Sequence, residues 1–340
     1  MSTNTVRTRI LIISDTHSRK PLEGDEQYDA SGARTHAYSY PLPEADVAIH
    51  CGDLTARSNT AEYESTFSML RALSAPLKLV IPGNHDRALD PVHWSRYTEW
   101  KEEIGTQGPA LDELRARPEK VRAIVDAAAA DNVLFLDEGC HDFTLANGAK
   151  LRTYASPWTP EYGQWGFQYQ PGFHRFNIPK GVDVVFTHGP PKGVLDTTNI
   201  NESAGCPMLL DAICRARPKI HCFGHIHEAW GAKLAAWKPL FAGMAAIDED
   251  KSRWIDKWDF HDTSEEREVA LQAMREAKCR RVDLKGESTI DGDLSFTPGQ
   301  HTLFVNAAIM DIAYRPRNAP WLIDIDLPLA EATDEDTTQL

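Results

Sequence analysis

The stretch Ile10-Leu11-Ile12-Ile13-Ser14-Asp15-Thr16-His17 sets the reading of this chain: four apolar, mostly β-branched residues run straight into a polar segment holding Asp and His two positions apart. A run this short and this apolar suits a strand buried on both faces, as in a sheet covered by other layers. In extended backbone, residues i and i+2 point the same way, so Asp15 and His17 can offer paired ligand atoms to one centre.

Further apolar runs end in the same manner. Residues 46–50 lead to Gly52-Asp53, residues 77–81 to Gly83-Asn84-His85-Asp86, residues 182–187 to His188, and residues 220–223 to Gly224-His225-Ile226-His227. Ligands of open α/β sheets gather beyond the carboxyl ends of the strands, so the five motifs are expected to converge. Each alone arises often by chance; all five in order, each closing a strand, point to one site. Imidazole, carboxylate and amide oxygen form a mixed N/O set suited to manganese, iron or zinc, and less to calcium or a thiolate-bound metal. One carboxylate can bridge two ions about 3.5–4 Å apart, an arrangement that activates water for displacement at phosphorus. Glycines 52, 83 and 224 fit tight turns where backbone approaches closely.

Working outward, residues 133–136 add another apolar run, and helical patterns lie between the strands: Tyr63, Phe67 and Leu70 share a face, and residues 111–130 are alanine-rich. The expected class is layered α/β. Asn147-Gly148 between two alternating segments signals a two-residue hairpin turn over residues 141–154, so antiparallel strands join the sheets. Residues 21–43 are polar, punctuated by proline and aperiodic, and read as a long loop beside the first motif. From 248 to 299 the composition turns charged, with a helix expected over 263–281, acidic early and basic late. The segment 245–299 reads as an α-rich insertion within one domain spanning 1–330, followed by a disordered acidic tail at 331–340.

The chain has 340 residues, of which 42% are hydrophobic, enough for a sizeable core. Fifty acidic against 36 basic residues leave a formal charge of -14, which argues against a nucleic-acid polymer or an anionic membrane as partner. A small anionic substrate remains compatible, because bound cations reverse the local field. With neither a secretory h-region nor an apolar span, a cytoplasmic location is expected. Six cysteines without CxxC spacing read as buried reduced thiols.

The series DxH, GD, GNHD, H and GHxH resembles the signature of the calcineurin-like metallophosphoesterases. Ser156-Pro157-Trp158, Thr187-His188-Gly189-Pro190-Pro191, Arg217-Pro218-Lys219-Ile220-His221, Gly224-His225-Ile226-His227-Glu228 and Val305-Asn306-Ala307 are similar to the narrower branch of metallophosphoesterase-domain (MPPED-like) proteins. The resemblance covers about 8–235 and 300–328, and no ligand position of the pattern is missing. It implies two packed mixed β-sheets flanked by helices, a four-layer sandwich. It also implies a dinuclear centre: Asp15, His17 and His227 on one metal, Asn84, His188 and His225 on the other, and Asp53 on both. The implied reaction is hydrolysis of a small phosphodiester or phosphomonoester, cyclic nucleotides among them, by hydroxide generated from water at the metals. His85 would protonate the leaving group, with Asp86 orienting it.

Two other functions fit the same residues: a nucleotide-binding regulator with weak turnover, and a metal-dependent enzyme acting on a non-phosphate substrate. The aromatic segment 158–176, with Tyr162, Trp165, Phe167, Tyr169 and Phe173, would stack a nucleobase or simply pack. The loop 197–207 offers hydrogen bonds to a base or ribose, or serves as a plain strand-to-helix connection. His50, His93, His141, His174 and His221 fall outside the ligand pattern and read as structural.

Overall fold

Alternate residues of the first strand, β1 (Thr5–Ile13), enter different cores: Ile10 and Ile12 pack in one apolar cluster, Leu11 and Ile13 in another. This period of two layers the molecule. The structure is a computed structural model and describes residues 4–28, 32, 34–239, 247–257, 264–284 and 296–330. After β1 come β2 (Val47–His50), helix α1 (Thr60–Arg71), β3 (Leu77–Val80), helices α2 (Pro91–Glu103) and α3 (Pro109–Ala127), and β4 (Val133–Phe135). Then follow β5 (Gly139–Thr144), β6 (Lys150–Ser156), the short β7 (Thr159–Pro160) and β8 (Gln168–Tyr169), β9 (Val184–Thr187), α4 (Pro207–Ala216), β10 (Ile220–Phe223) and β11 (Gly231–Trp237). The chain closes with β12 (Ile247–Lys257), α5 (Glu265–Ala277), β13 (Arg280–Asp283), β14 (His301–Asn306) and β15 (Trp321–Pro328).

Two mixed sheets result, ordered β13-β15-β1-β2-β3-β4 and β12-β11-β14-β10-β9-β6-β5. Inward residues of both share one core: Ile12, Ile49 and Leu79 from the first, Phe186, Cys222 and Val305 from the second. The outer face of the first sheet packs on Phe67, Leu70, Val121 and Val125 of α1 and α3, and that of the second on Leu209 and Ile213 of α4. The order is therefore helices, sheet, sheet, helix. Each such side chain, fully buried, contributes about 1.5–3 kcal/mol. Helix starts are locally encoded: Asn59 and Glu62 form a reciprocal cap on α1, and Asp90 precedes Pro91 and caps α2.

Within each sheet the motif-bearing strands are parallel: β1, β2 and β3 in one, β9 and β10 in the other. Their carboxyl ends therefore deliver Asp15, Asp53, Asn84, His188 and His225 to one rim.

Five expectations shift. The hairpin turn is one residue longer than a two-residue loop, because the amide of Leu145 donates to the carbonyl of Ala149 and Gly148 takes φ +82 at the end of a three-residue loop. Residues 21–43 do not stay outside the core, since Tyr38 is fully buried. Among the described residues of 245–299, strand stands beside helix: β12 has 11 residues, antiparallel to β11, and β13 runs parallel to β15, so each sheet gains an edge strand around the 13-residue α5. The helix ends at Lys278 in the left-handed region, and Arg280 and Arg281 belong to β13. All six cysteines are free, but Cys140 is exposed. The tail 331–340 lies outside the described residues. No helix among the described residues is long and apolar enough to cross a membrane.

Candidate metal centre

The loops leaving β1 and β2 stay zipped together past the strands: the amides of Asp15, His17 and Ser18 donate to the carbonyls of Gly52, Asp53 and Leu54. Asp15, His17 and Asp53 adopt φ of 51°, 45° and 54°, and His225 φ of 70°. Non-glycine residues in that region cost on the order of 1 kcal/mol or more each, and such strain gathers where side chains must be aimed. Two glycines explain how close the loops come. A Cβ on Gly83 would overlap Asp53, and one on Gly224 would overlap Asp15 and Ser14.

Asp15, His17, Asp53, Asn84, His85, His188 and His227 are all buried. Their ligand atoms form three overlapping groups, Asp15 with His17 and His227, His17 with Asp53 and His85, and Asp15 with Asp53 and His188, each within 4.8 Å. Nε2 of His17 lies 3.2 Å from Nε2 of His227 and 3.7 Å from Asp53. Nε2 of His188 lies 3.3 Å from Asp53 and 2.9 Å from the side-chain oxygen of Asn84. The ring of His225 meets that of His188 at 4.9 Å. All seven expected ligands thus come to one place.

The tautomers are set by main chain. Nδ1–H of His17 donates to the Thr55 carbonyl at 3.0 Å, His85 to Ala56 at 2.8 Å, His188 to Cys51 at 2.9 Å and His227 to Asp311 at 3.1 Å. Each Nε2 lone pair is left facing the interior of the site. Lone pairs therefore confront one another at His17 and His227, and at His188 and the Asn84 oxygen, contacts that a shared cation converts from repulsive to attractive. Without one, charge balance falls to protons. Burial pushes Asp53 well up, with the charges of Asp15 and Asp86 adding to it. Burial also raises Asp15, but the hydrogen bond and charge of His227 outweigh it and pull Asp15 down, while Asp15 raises His227 against its own burial. Burial lowers His17, His188 and His225. The His/Asp clusters fit a dinuclear metal site, with Asp15, His17 and Asp53 each common to two of the three groups.

Asp86 does not touch the His85 ring, which the Ala56 carbonyl holds instead. One Asp86 oxygen accepts from the amides of Leu54 and Gly83, the other from the amide and hydroxyl of Thr55, clamping two loops together. Those bonds oppose the burial that raises it to about 7. Asn306 braces the last loop by donating to the Ile226 carbonyl at 2.9 Å, between the two histidines.

Aromatic rings rim the site. Trp165 stacks on His85 at 4.2 Å, Tyr162 meets His225 at 5.3 Å, and Tyr314 meets His17 at 4.8 Å and His227 at 5.1 Å. The first two come from the aromatic segment singled out in the sequence. Tyr314 does not, since it arrives from a distant stretch without any motif; its neighbour Asp311, whose carbonyl holds His227, is equally silent. His50 and His221 bond to Thr16 and Thr187.

The calcineurin-like phosphoesterase family matches residues 8–229. Metallophosphoesterase domain-containing protein 1 of Homo sapiens is 32% identical over 235 residues, 66% of this chain and 62% of that protein. UPF0046 protein T07D4.2 of Caenorhabditis elegans is 31% identical, over 66% of this chain and 52% of its own. "Probable rhamnogalacturonate lyase C" of Emericella nidulans is 31% identical over 72% of this chain but only 20% of its own length, so nothing of that name transfers. The chain thus spans between a fifth and three fifths of these relatives. With a family match across all five motif loops, this chain belongs to the calcineurin-like phosphoesterases, on the metallophosphoesterase-domain branch.

Proposed function

We propose that the chain hydrolyses small phosphodiesters or phosphomonoesters at a dinuclear metal centre. In this reading Asp15, His17 and His227 hold one ion, Asn84, His188 and His225 the other, and Asp53 bridges them. One observation supports it above the rest: four imidazoles, each fixed by a main-chain carbonyl, turn bare nitrogens toward two buried carboxylates that no lysine or arginine pairs with among the described residues. When bound, the ions lower the pKa of water and screen the phosphoryl oxygens. Manganese, iron and zinc all suit this donor set.

His85 is the candidate proton donor to the leaving oxygen. Burial holds it at about 4, so with its proton on Nδ1 it is neutral in the resting site. An anionic ester arriving beside it favours the second proton, and that proton on Nε2 is the one transferred. Asp86 acts indirectly, by fixing the loop that carries His85. The aromatic rim supports esters with a flat ring, nucleotides included. Six free thiols favour a reducing compartment such as the cytoplasm.

The test is a screen of metal-reconstituted protein over cyclic nucleotides, aryl phosphodiesters and monoesters, with and without chelator. Chelator-sensitive turnover supports the hydrolase. Tight nucleotide binding without turnover supports the regulator instead, and the hydrolase reading then falls.

A further inference from the structure

The ring of Trp165 stacks on His85, and the same residue lines a pocket of about 760 Å³ between α2 and the loop that follows β7. Helix α2 contributes His93, Arg96, Tyr97 and Lys101, which share a face at helical spacing, and Arg87 lies at the inner end. Trp165 therefore belongs both to the wall of this pocket and to the surroundings of His85, the candidate donor to the leaving oxygen.

Its charges are arranged unlike those around it. Arg115 and Arg117 on α3 are paired with Glu102 and Glu113. Among the described residues Arg87, Arg96 and Lys101 make no ion pair. Arg87 lies over Tyr97 at 4.8 Å and Trp165 at 5.6 Å, and Lys101 over Tyr97 at 5.5 Å. The buried Nε of Arg87 and Nε2 of His93 have no hydrogen-bond partner among the described residues. Two carboxylates also line the pocket. Asp90 is committed, one oxygen to the amide of His93 and the other to that of Phe167; Glu161 is exposed. Three cations without carboxylate partners among the described residues, flat rings and an unsatisfied guanidinium N–H, in a chain of net charge -14, form a receptor for an anion joined to a ring.

We propose that this pocket is the leaving-group subsite, and that it selects esters whose alcohol or phenol part carries a ring ending in a second anion, a phosphate or carboxylate. The inference rests on the phosphoesterase reading. In hydrolysis, water oxygen bonds to phosphorus, the bond to the leaving oxygen breaks, and that oxygen takes up a proton; the ring attached to it then lies past His85 along Trp165, and its far anion meets Arg87, Arg96 and Lys101.

Two esters of equal size test this, 4-carboxyphenyl phosphate and 4-carbamoylphenyl phosphate, on metal-loaded wild type and an R96Q/K101Q variant. On α2, Arg96 is exposed and Lys101 half-buried, and neither is among the ligands. Comparing proteins on the same ester removes differences in intrinsic reactivity. The variant should lose about tenfold or more in kcat/KM on the carboxylate ester, mainly through KM, and change less than about twofold on the amide, with metal content unchanged. Calorimetry with 4-hydroxybenzoate, in saturating inorganic phosphate to cover the metals, should show affinity weakened to the same degree. Equal change on both esters, or none, overturns the subsite while leaving the phosphoesterase standing. If neither ester turns over in the wild type yet 4-hydroxybenzoate binding weakens in the variant, the pocket stands and the phosphoesterase reading falls.

Discussion

Buried carboxylates occur in two settings here, and they are treated in opposite ways. Around the segment 247–283 they are met by the protein's own cations: Asp256 of β12 pairs with Arg267 of α5 and Arg280 of β13, and Asp324 of β15 with Arg9 and Arg281. The Asp256 clamp ties an edge strand of one sheet to an edge strand of the other, and the Asp324 clamp joins three neighbouring strands of the first sheet. At the strand-end loops Asp15 and Asp53 meet, among the described residues, imidazoles and backbone amides and no lysine or arginine. A buried charge left without a permanent partner is expensive, so it persists where a visiting cation supplies the balance. The contrast separates charge that builds the fold from charge that does chemistry.

The largest effect should come from neutralising the carboxylate assigned to both ions. Asp53→Asn should cut turnover at least about a thousandfold and lose one metal equivalent or more, read by elemental analysis beside kinetics. A variant with both metals and near-normal rate would exclude Asp53 as the bridge.

Next, His85→Asn should keep both metals and slow esters with poor alkyl leaving groups by about 10²–10⁴, while aryl esters lose less than about tenfold. His188→Asn should lower metal occupancy and slow every ester alike. Equal slowing of aryl and alkyl esters with metal loss in His85→Asn would move His85 among the ligands.

On the other side of the comparison, Asp256→Asn should cost about 3 kcal/mol in denaturant unfolding, because it removes the charge with which both Arg267 and Arg280 pair. Metal content and turnover should not change. Loss of metal in the folded variant would show that the edge strands and the centre are not independent.

The smallest effect concerns Glu138, which accepts from Tyr154, Ser156 and His174 and so pins the aromatic segment to the second sheet. Burial alone would raise it, yet the His174 bond and charge with the two hydroxyls hold it below its ordinary 4.5. A depressed carboxylate stabilises the fold above that ordinary value, and the contribution vanishes as pH falls through the lower folded value. The stability gap between wild type and Glu138→Gln should therefore close below about pH 4.5; a gap that widened on acidification would refute the assignment.

The same contrast explains what the sequence disclosed. Asp15, His17, Asp53, Asn84, His188, His225 and His227 were legible because each sits directly after an apolar run, so strand direction alone brings them together. Strand β12 was not, since IDEDKSRWIDK buries only Ile255 and its charges mask the extended pattern. That masking is itself functional in an edge strand, where charge discourages pairing with another chain. Asp86 was misread for a related reason: its partners are the amides of Leu54, Thr55 and Gly83, and an amide carries no signature. Tyr314 escaped because its distance from the motifs in sequence says nothing of its place beside His17.

Four imidazoles take their orientation from the carbonyls of Thr55, Ala56, Cys51 and Asp311. A carbonyl belongs to every residue, so no exchange of one amino acid for another can delete these four acceptors. Mutation can reach them only by displacing the loops themselves. Vulnerability is thereby moved from the partners of the histidines to the turns that set the loop paths, with Gly83 and Gly224 the least replaceable positions. A lineage of such chains could rewrite nearly every side chain around the centre and still aim the same nitrogens.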